Sequence, residues 1–230
     1  MQERIAALGM YVVEPTGWKS VADPRARDAL FEHLVDVEEM HLRASLALRE
    51  QRSDWRVFAH VITLPDRISH AFWRFHRPED YPPIPAAELA ANRDKVFRAY
   101  RESDRLLGRL LEGLGPETNV IVLSDHGFMS QGESWGEHRL DGMLVAAGRG
   151  IAAGSERLSL SIYDVVPAAL VLLGLPVADD LAAGPPAALL APGTPVTRIA
   201  SYETSTAGHS ADVSIDETTE EQLRALGYVE

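Results

Sequence analysis

The stretch Val120-Ile-Val-Leu-Ser-Asp125-His126-Gly127-Phe128 is an apolar run that stops abruptly in an adjacent Asp and His. A second run upstream, Val57-Phe-Ala-His-Val-Ile-Thr-Leu64, stops in Pro65-Asp66-Arg-Ile-Ser-His70. Short apolar runs bounded by turn signals read as buried strands. Two of them ending in Asp/His pairs predict one metal site at one edge of a sheet. Carboxylate and imidazole are the ligands a zinc- or manganese-type ion takes when thiolates are absent, and the chain has no cysteine.

Working outward, residues 25–52 read as a helix, because Leu30, Phe31, Leu34, Val35, Val37 and Met40 recur at helical spacing without Gly or Pro. Residues 55–64 are expected as a buried strand. The aromatic and Pro-rich stretch Phe72 to Pro85 is expected as an ordered loop. Residues 87–114 form a second helical pattern closed by Gly113 and Gly115-Pro116, followed by a strand at 119–124 and a Gly-rich loop. Met143 to Ala147 reads as a further strand, and Ile162 to Leu173 as a helix stopped by Gly174. Residues 176–196 are expected to wrap the surface, and 217–226 to form a short terminal helix. Strands alternating with long helices imply an α/β fold, a largely parallel central sheet with helices on both faces. The expected organisation is an N-terminal helical segment at 1–54, a metal-binding α/β core at 55–176 and a surface-wrapping tail at 177–230.

The chain of 230 residues carries a formal net charge of −12. That balance argues against a nucleic-acid surface, which needs clustered basic residues. It leaves room for a small phosphorylated substrate, which would meet metal cations rather than the average surface field. No run has the uninterrupted apolar length of a membrane span, and Met1 to Leu8 lacks a secretory h-region. The compartment stays open, cytoplasmic by default, as does the oligomeric state.

In parallel α/β sheets, ligands sit beyond the carboxyl ends of the strands, where the pattern places Asp66 and Asp125. Asp66 and His70 are four residues apart, so one turn of helix or a compact loop would bring both side chains to one face. Asp125 and His126, in a turn, address two adjacent ions, and Gly127 permits the close backbone turn. His138, before the next strand, is the third imidazole candidate. The remaining histidines carry plainer expectations. His60 reads as a neutral, hydrogen-bonded core residue, His33 and His41 as solvated helix positions, and His76 as a surface residue. The acidic residues of 25–52 read as a solvated face. Phe72 and Trp73 are packing residues by default and candidates for an aromatic wall against a substrate.

Four motifs together resemble the alkaline phosphatase superfamily, and within it the type I phosphodiesterase/nucleotide pyrophosphatase branch. They are Pro65-Asp66-Arg-Ile-Ser-His70-Ala-Phe-Trp73, Ser124-Asp125-His126-Gly127-Phe128, His138-Arg-Leu-Asp-Gly142 continuing to Gly148-Arg-Gly-Ile151, and Asp164-Val-Val-Pro167 continuing to Pro176. The ending Leu226-Gly-Tyr228 matches loosely. The resemblance implies an alkaline-phosphatase-like fold and a site of two divalent ions, zinc or in some members manganese. Asp66, His70 and His138 would hold one ion, and Asp125 and His126 would supply half of the other site.

The family pattern also includes an N-terminal strand ending in a ligating Asp and, further on, a Thr or Ser nucleophile. Neither Thr16, Ser20 nor Asp23 fits that pattern, so the catalytic nucleophile is unassigned. The expectation is a chain equivalent to the C-terminal portion of the family enzyme, incomplete at the N-terminus, holding one ion and having little activity alone. The competing readings are a non-catalytic remnant serving as a metal-binding or interaction module, and another superfamily hydrolase such as a sulfatase, a phosphonate hydrolase or a phosphosugar mutase. The imidazole-rich ligand set disfavours the sulfatase.

Overall fold

The computed structural model describes residues 24–132, 135–154 and 157–203. The expected N-terminal stretch before Pro24 and the terminal helix at 217–226 lie outside the described residues. Helix α1 spans Pro24–Gln51, matching the helical spacing of its apolar residues. Helix α2 spans Leu64–His76 and opens with Pro65 in its first turn, where the missing N–H costs nothing. A 3₁₀ turn at Pro78–Asp80 follows, then α3 (Ala86–Asn92) and α4 (Lys95–Leu111). The single helix expected over 87–114 is therefore two. They break at Arg93-Asp94, where the Asn92 amide turns back to donate to the Glu88 carbonyl at 2.9 Å.

The main core forms where α1, α2 and α4 meet. Leu30, Phe31 and Leu34 of α1 pack with Leu64, Ile68, Phe72 and Phe75 of α2 and with Val96 and Ala99 of α4. On α2 the buried positions fall at i, i+4, i+8 and i+11, one stripe of a helix. Asp66, His70 and Trp73 fall at i, i+4 and i+7 on the roughly opposite stripe, given about 100° per residue. One helix thus has a face for the core and a face for chemistry. Lys95, buried at the start of α4, is neutralised by Asp28 at 2.5 Å and lies over the Phe31 ring.

The strands depart from expectation. β1 (Val120–Ser124) pairs antiparallel with β4 (Met143–Ala147), and β2 (Gly127–Gln131) pairs antiparallel with β3 (Trp135–Arg139). Only β5 (Val177–Ala178) and β6 (Arg198–Ile199) are parallel. The fold mixes helices and strands, but the large parallel sheet is replaced, among the described residues, by three two-stranded ones. The cause is the connection between β1 and β4. It holds a hairpin instead of a helix, so the chain returns antiparallel, and a parallel pair needs a crossover.

The run at 55–64 forms no strand among the described residues. It stays irregular up to Thr63, with Val57 64% and Val61 74% exposed. Its apolar character was legible, but apolarity names no partner strand. The expected loop from Phe72 is helical as far as His76, because α2 simply continues its amphipathic pattern. Ile162 to Leu173 divides into a 3₁₀ turn at Ile162–Asp164, capped by Ser161, and helix α5 (Val165–Leu172). Gly174, at φ 69°, closes it in the left-handed conformation that favours glycine. Residues 176–196 do more than wrap the surface, since Val177, Leu189 and Leu190 are buried.

Candidate metal centre

The start of α2 is fixed from below by Glu38 of α1. This residue is 1% exposed, and its Oε1 accepts from the Thr63 N–H at 2.8 Å and the Thr63 hydroxyl at 2.5 Å. The Thr63 hydroxyl therefore does not cap its own helix, and a carboxylate from another helix takes that place, where the helix dipole favours negative charge. The expectation of a wholly solvated acidic face on α1 fails at this residue. Thr63 leads directly into Pro65-Asp66, so the first metal-ligand candidate stands one turn above a buried anchor.

The β2–β3 hairpin lies against the opposite stripe of α2. Gly136 makes this approach possible, since a Cβ there would sit 2.6 Å from Trp73 Cβ and 2.9 Å from the Ser69 carbonyl oxygen. The register pairs Phe128 with His138 and Ser130 with Gly136, which puts these side chains on the hairpin face turned to α2. The Trp73 indole N–H donates to Ser130 Oγ at 3.1 Å, and the Ser130 hydroxyl donates to Asp80 at 2.6 Å. Asp125 and His126 form the link between β1 and β2. Gly142 lets the return strand pass close by, where a Cβ would fall 2.2 Å from the Ser124 carbonyl oxygen.

These elements bring together Asp66, His70, Asp125, His126 and His138, the candidates read from sequence. His138 Nε2 is 2.9 Å from His70 Nε2 and 3.2 Å from Asp66 Oδ1. His70 Nε2 is 3.5 Å, and His126 Nε2 3.8 Å, from the same Asp66 oxygen. His126 Nε2 is 3.7 Å from Asp125 Oδ1. Asp66, His126 and His138 each offer a ligand atom within 4.8 Å of the others.

The ring tautomers suit a cation. His70 Nδ1 lies 3.0 Å from the Gly136 carbonyl and His126 Nδ1 lies 3.1 Å from the Gly127 carbonyl. A carbonyl only accepts, so both Nδ1 atoms carry the hydrogen and both Nε2 atoms present lone pairs. Lone pairs and carboxylate oxygens converging on one place repel unless a proton or cation stands among them. Burial pushes the His70 imidazole below its ordinary value, against the pull of Asp66, and so favours the neutral, ligating form.

Phe128 was quoted in the sequence motif without a role. It meets all three imidazoles, with ring centroids 5.0 Å from His70, 5.7 Å from His126 and 5.4 Å from His138. It forms the apolar wall of the cluster and touches Trp73 at 5.5 Å. Gly136 was also missed, although an isolated glycine in a strand signals a close backbone approach. Trp73 is half-buried beside the centre. Phe72 is fully buried in the core with its ring against Phe75, so its expected place on a substrate wall is corrected to packing. His76 stacks edge-on between Trp73 and Phe97, away from the ligands. His60 is half-buried, shares a 2.9 Å hydrogen bond with Ser45, and is held below its ordinary value by burial against the opposing charge of Glu38.

A helix, a hairpin and the link before it bring three imidazoles and two carboxylates together, with ligand atoms of Asp66, His126 and His138 within 4.8 Å of one another, and define a protein with a candidate divalent-metal centre. The chain belongs to the type I phosphodiesterase / nucleotide pyrophosphatase family, whose model matches residues 8–159. That match spans more than half the chain and contains all the candidate ligands. Comparison with curated proteins and with solved structures returned no match. The family is one of hydrolases, generally metal-dependent, acting on small phosphorylated substrates. No described helix is long and apolar enough to cross a membrane.

Proposed function

We propose that the chain is a metal-dependent phosphoric-ester hydrolase of the phosphodiesterase/nucleotide pyrophosphatase type. Asp66, His70 and His138 hold one divalent ion, and Asp125 and His126 contribute to a second. Zinc is the ion the donor set fits best, with manganese the alternative, because imidazole and carboxylate in the absence of thiolate suit both. The observation that carries the reading is the convergence of these ligand atoms, with His70 and His126 fixed by backbone carbonyls as Nε2 ligands. Bound ions would supply charge stabilisation at phosphoryl oxygens and activation of an attacking hydroxyl or water. The residues themselves hold and orient, Phe128 excludes water from one side, and Trp73 flanks the approach.

Two described hydroxyls near the centre are hydrogen-bonded to other groups. Ser124 Oγ accepts from the Met143 N–H at 3.0 Å, and the Ser130 hydroxyl donates to Asp80. No nucleophile is assigned, and weak turnover by the chain alone is the expected behaviour. This also supports the second reading, a metal-binding or interaction module without catalysis. Elemental analysis of the purified chain after zinc loading, with His70→Ala and Asp125→Ala beside it, tests the centre. Unchanged metal content in both variants would remove the ligand assignment. Hydrolysis of bis(p-nitrophenyl) phosphate separates the two readings, since turnover that is zinc-dependent and lost in His70→Ala supports the enzyme. Vigorous turnover would contradict the expected weak activity.

A further inference from the structure

Residues 57–63 have the geometry of a strand without a strand partner among the described residues. Glu38 and Ser45 stand about 10.5 Å apart along the axis of α1. Glu38 accepts from the Thr63 N–H at 2.8 Å, and Ser45 Oγ lies 2.9 Å from His60 Nδ1. Three residues of extended chain, from His60 to Thr63, advance about 10 Å. The run is therefore extended and lies antiparallel to α1. Exposure alternates along it. Phe58, His60 and Ile62 are half-buried, whereas Val57, Ala59 and Val61 are exposed.

Open strand edges in natural proteins are protected by charge, proline or a bulge. Residues 57–64 contain no charged residue and no proline. Among the described residues, no backbone group of 57–62 enters a backbone hydrogen bond. An extended, uncharged, apolar edge of this kind is suited to strand addition.

The chain itself carries a segment that fits. Outside the described residues, Tyr11-Val-Val13 is the one place with three strand formers in succession. Gly9 precedes Met10 and Glu14-Pro15 follows Val13, the bounds of a short strand. The family match begins at residue 8, so the segment belongs to the same matched region as the run. The connection to α1 also sets the direction. Residues 14–23 span at most about 33–36 Å. Glu38 stands about 21 Å along α1 from Pro24, so Val13 reaches the Thr63 end of the run. The Val57 end is about 42 Å along the same axis, beyond that reach. We propose that residues 10–13 add to the edge of residues 57–63 as a strand parallel to it, with Val13 at the Thr63 end. Tyr11 then stands beside Val61 on the exposed face, an aromatic next to a β-branched residue, which is a favourable cross-strand pair. The inference is independent of the metal-centre reading.

The test uses the full chain, whose lack of cysteine gives a clean background for cross-linking. Neighbouring strands stand about 4.7–4.9 Å apart, within disulfide range. Tyr11→Cys is combined with Val61→Cys or with Ala59→Cys and oxidised. At least one of these pairs is expected to form a disulfide within the monomer. Tyr11→Cys with Phe97→Cys, on another surface, is expected to stay reduced. In wild type, the amides of 57–62 should exchange with deuterium at least tenfold more slowly than in Val12→Pro, which cannot complete the ladder. The amides of α2 and α4 should be equally protected in both chains, which separates loss of the strand from misfolding. Unprotected amides at 57–62 in wild type would overturn the proposal, as would equal cross-linking to position 97. Protection without a cross-link would give the edge to another segment and overturn the assignment of residues 10–13. Disulfides formed only between chains would overturn it in favour of a second copy.

Discussion

Replacing Gly136 by Ala tests whether the centre depends on how closely the hairpin lies on α2. The added Cβ would fall 2.6 Å from Trp73 Cβ, 2.9 Å from Trp73 Cγ and 2.9 Å from the Ser69 carbonyl oxygen. Carbon atoms in good contact stand about 3.5–4.0 Å apart. The obstacles are a helix backbone and the root of a side chain, so neither can swing aside, and the hairpin must back off by about 1 Å. The His70 Nδ1–Gly136 carbonyl bond, 3.0 Å in the native chain, would then stretch beyond hydrogen-bonding length. His138, two residues further along β3, would move away from Asp66 and His70 with it.

Overpacking of this kind costs about 1–3 kcal/mol of stability. Losing the partner that orients a metal-ligating histidine typically costs 10- to 100-fold in metal affinity. Gly136→Ala is therefore expected to lower both the denaturant midpoint and the zinc affinity by these amounts. Gly108→Ala in α4 is the matched control. Its Cβ meets nothing within 4 Å, so helix propensity alone should raise stability, by about 0.5–1 kcal/mol, with zinc binding unchanged. A Gly136→Ala chain with native stability and native zinc affinity would refute the packing argument and with it the role given to the Gly136 carbonyl.

Three further outcomes follow from the same geometry. Glu38→Ala leaves the Thr63 N–H and hydroxyl without their buried acceptor. At about 1–3 kcal/mol for a buried group left unsatisfied, the variant should be clearly destabilised in urea, and Glu38→Gln, which keeps the acceptor oxygen, much less so. His60 is pushed below its ordinary value of 6.5, chiefly by burial, so the folded chain resists a proton that the unfolded chain accepts. Stability should thus be complete above 6.5 and fall as pH drops from there to the lowered folded value; His60→Gln should flatten that part of the urea-midpoint profile. Finally, an ion that binds only the folded chain adds about 2.7 kcal/mol when present at 100 times its dissociation constant. Zinc should raise the melting midpoint, a chelator should reverse the rise, and His70→Ala should remove most of it.

Local spacing carried most of the candidate site and little of the sheet. Asp66 and His70 are four residues apart, so a shared face was legible from their spacing, and the structure supplies it as one turn of α2. Asp125 and His126 were legible because an apolar strand cannot absorb them and must end there. His138 was found by residue type, and its position inside β3 rather than before a strand came only with the hairpin register. Glu38 was not legible. It stands next to Glu39 in a run of charges, yet Glu39 turns outward to Arg105 while Glu38 turns inward to Thr63. The difference is a rotation of about 100° between adjacent helix positions, and it shows only when α2 is laid against α1. The parallel sheet failed for a related reason. Val57–Leu64, Val120–Leu123 and Met143–Ala147 have the apolarity of buried strands, but pairing is a property of two segments, and neither direction nor partner is written in one of them.

That division explains how the centre can be well formed while the sheets are small. Its candidate ligands do not depend on a long ladder. Asp66 and His70 come from a helix whose other face is locked into the core by Leu64, Ile68, Phe72 and Phe75. His138 comes from a hairpin pinned to that helix by the Gly136 contact and the Trp73–Ser130 hydrogen bond. Asp125 and His126 sit in the two-residue link that the same hairpin holds in place. Moving α2 against the core therefore moves two candidate ligands together, whereas lifting the hairpin removes His138 and loosens the orientation of His70. The weakest joint is the interface between α2 and the hairpin, and damage there should reach metal affinity before it reaches the fold.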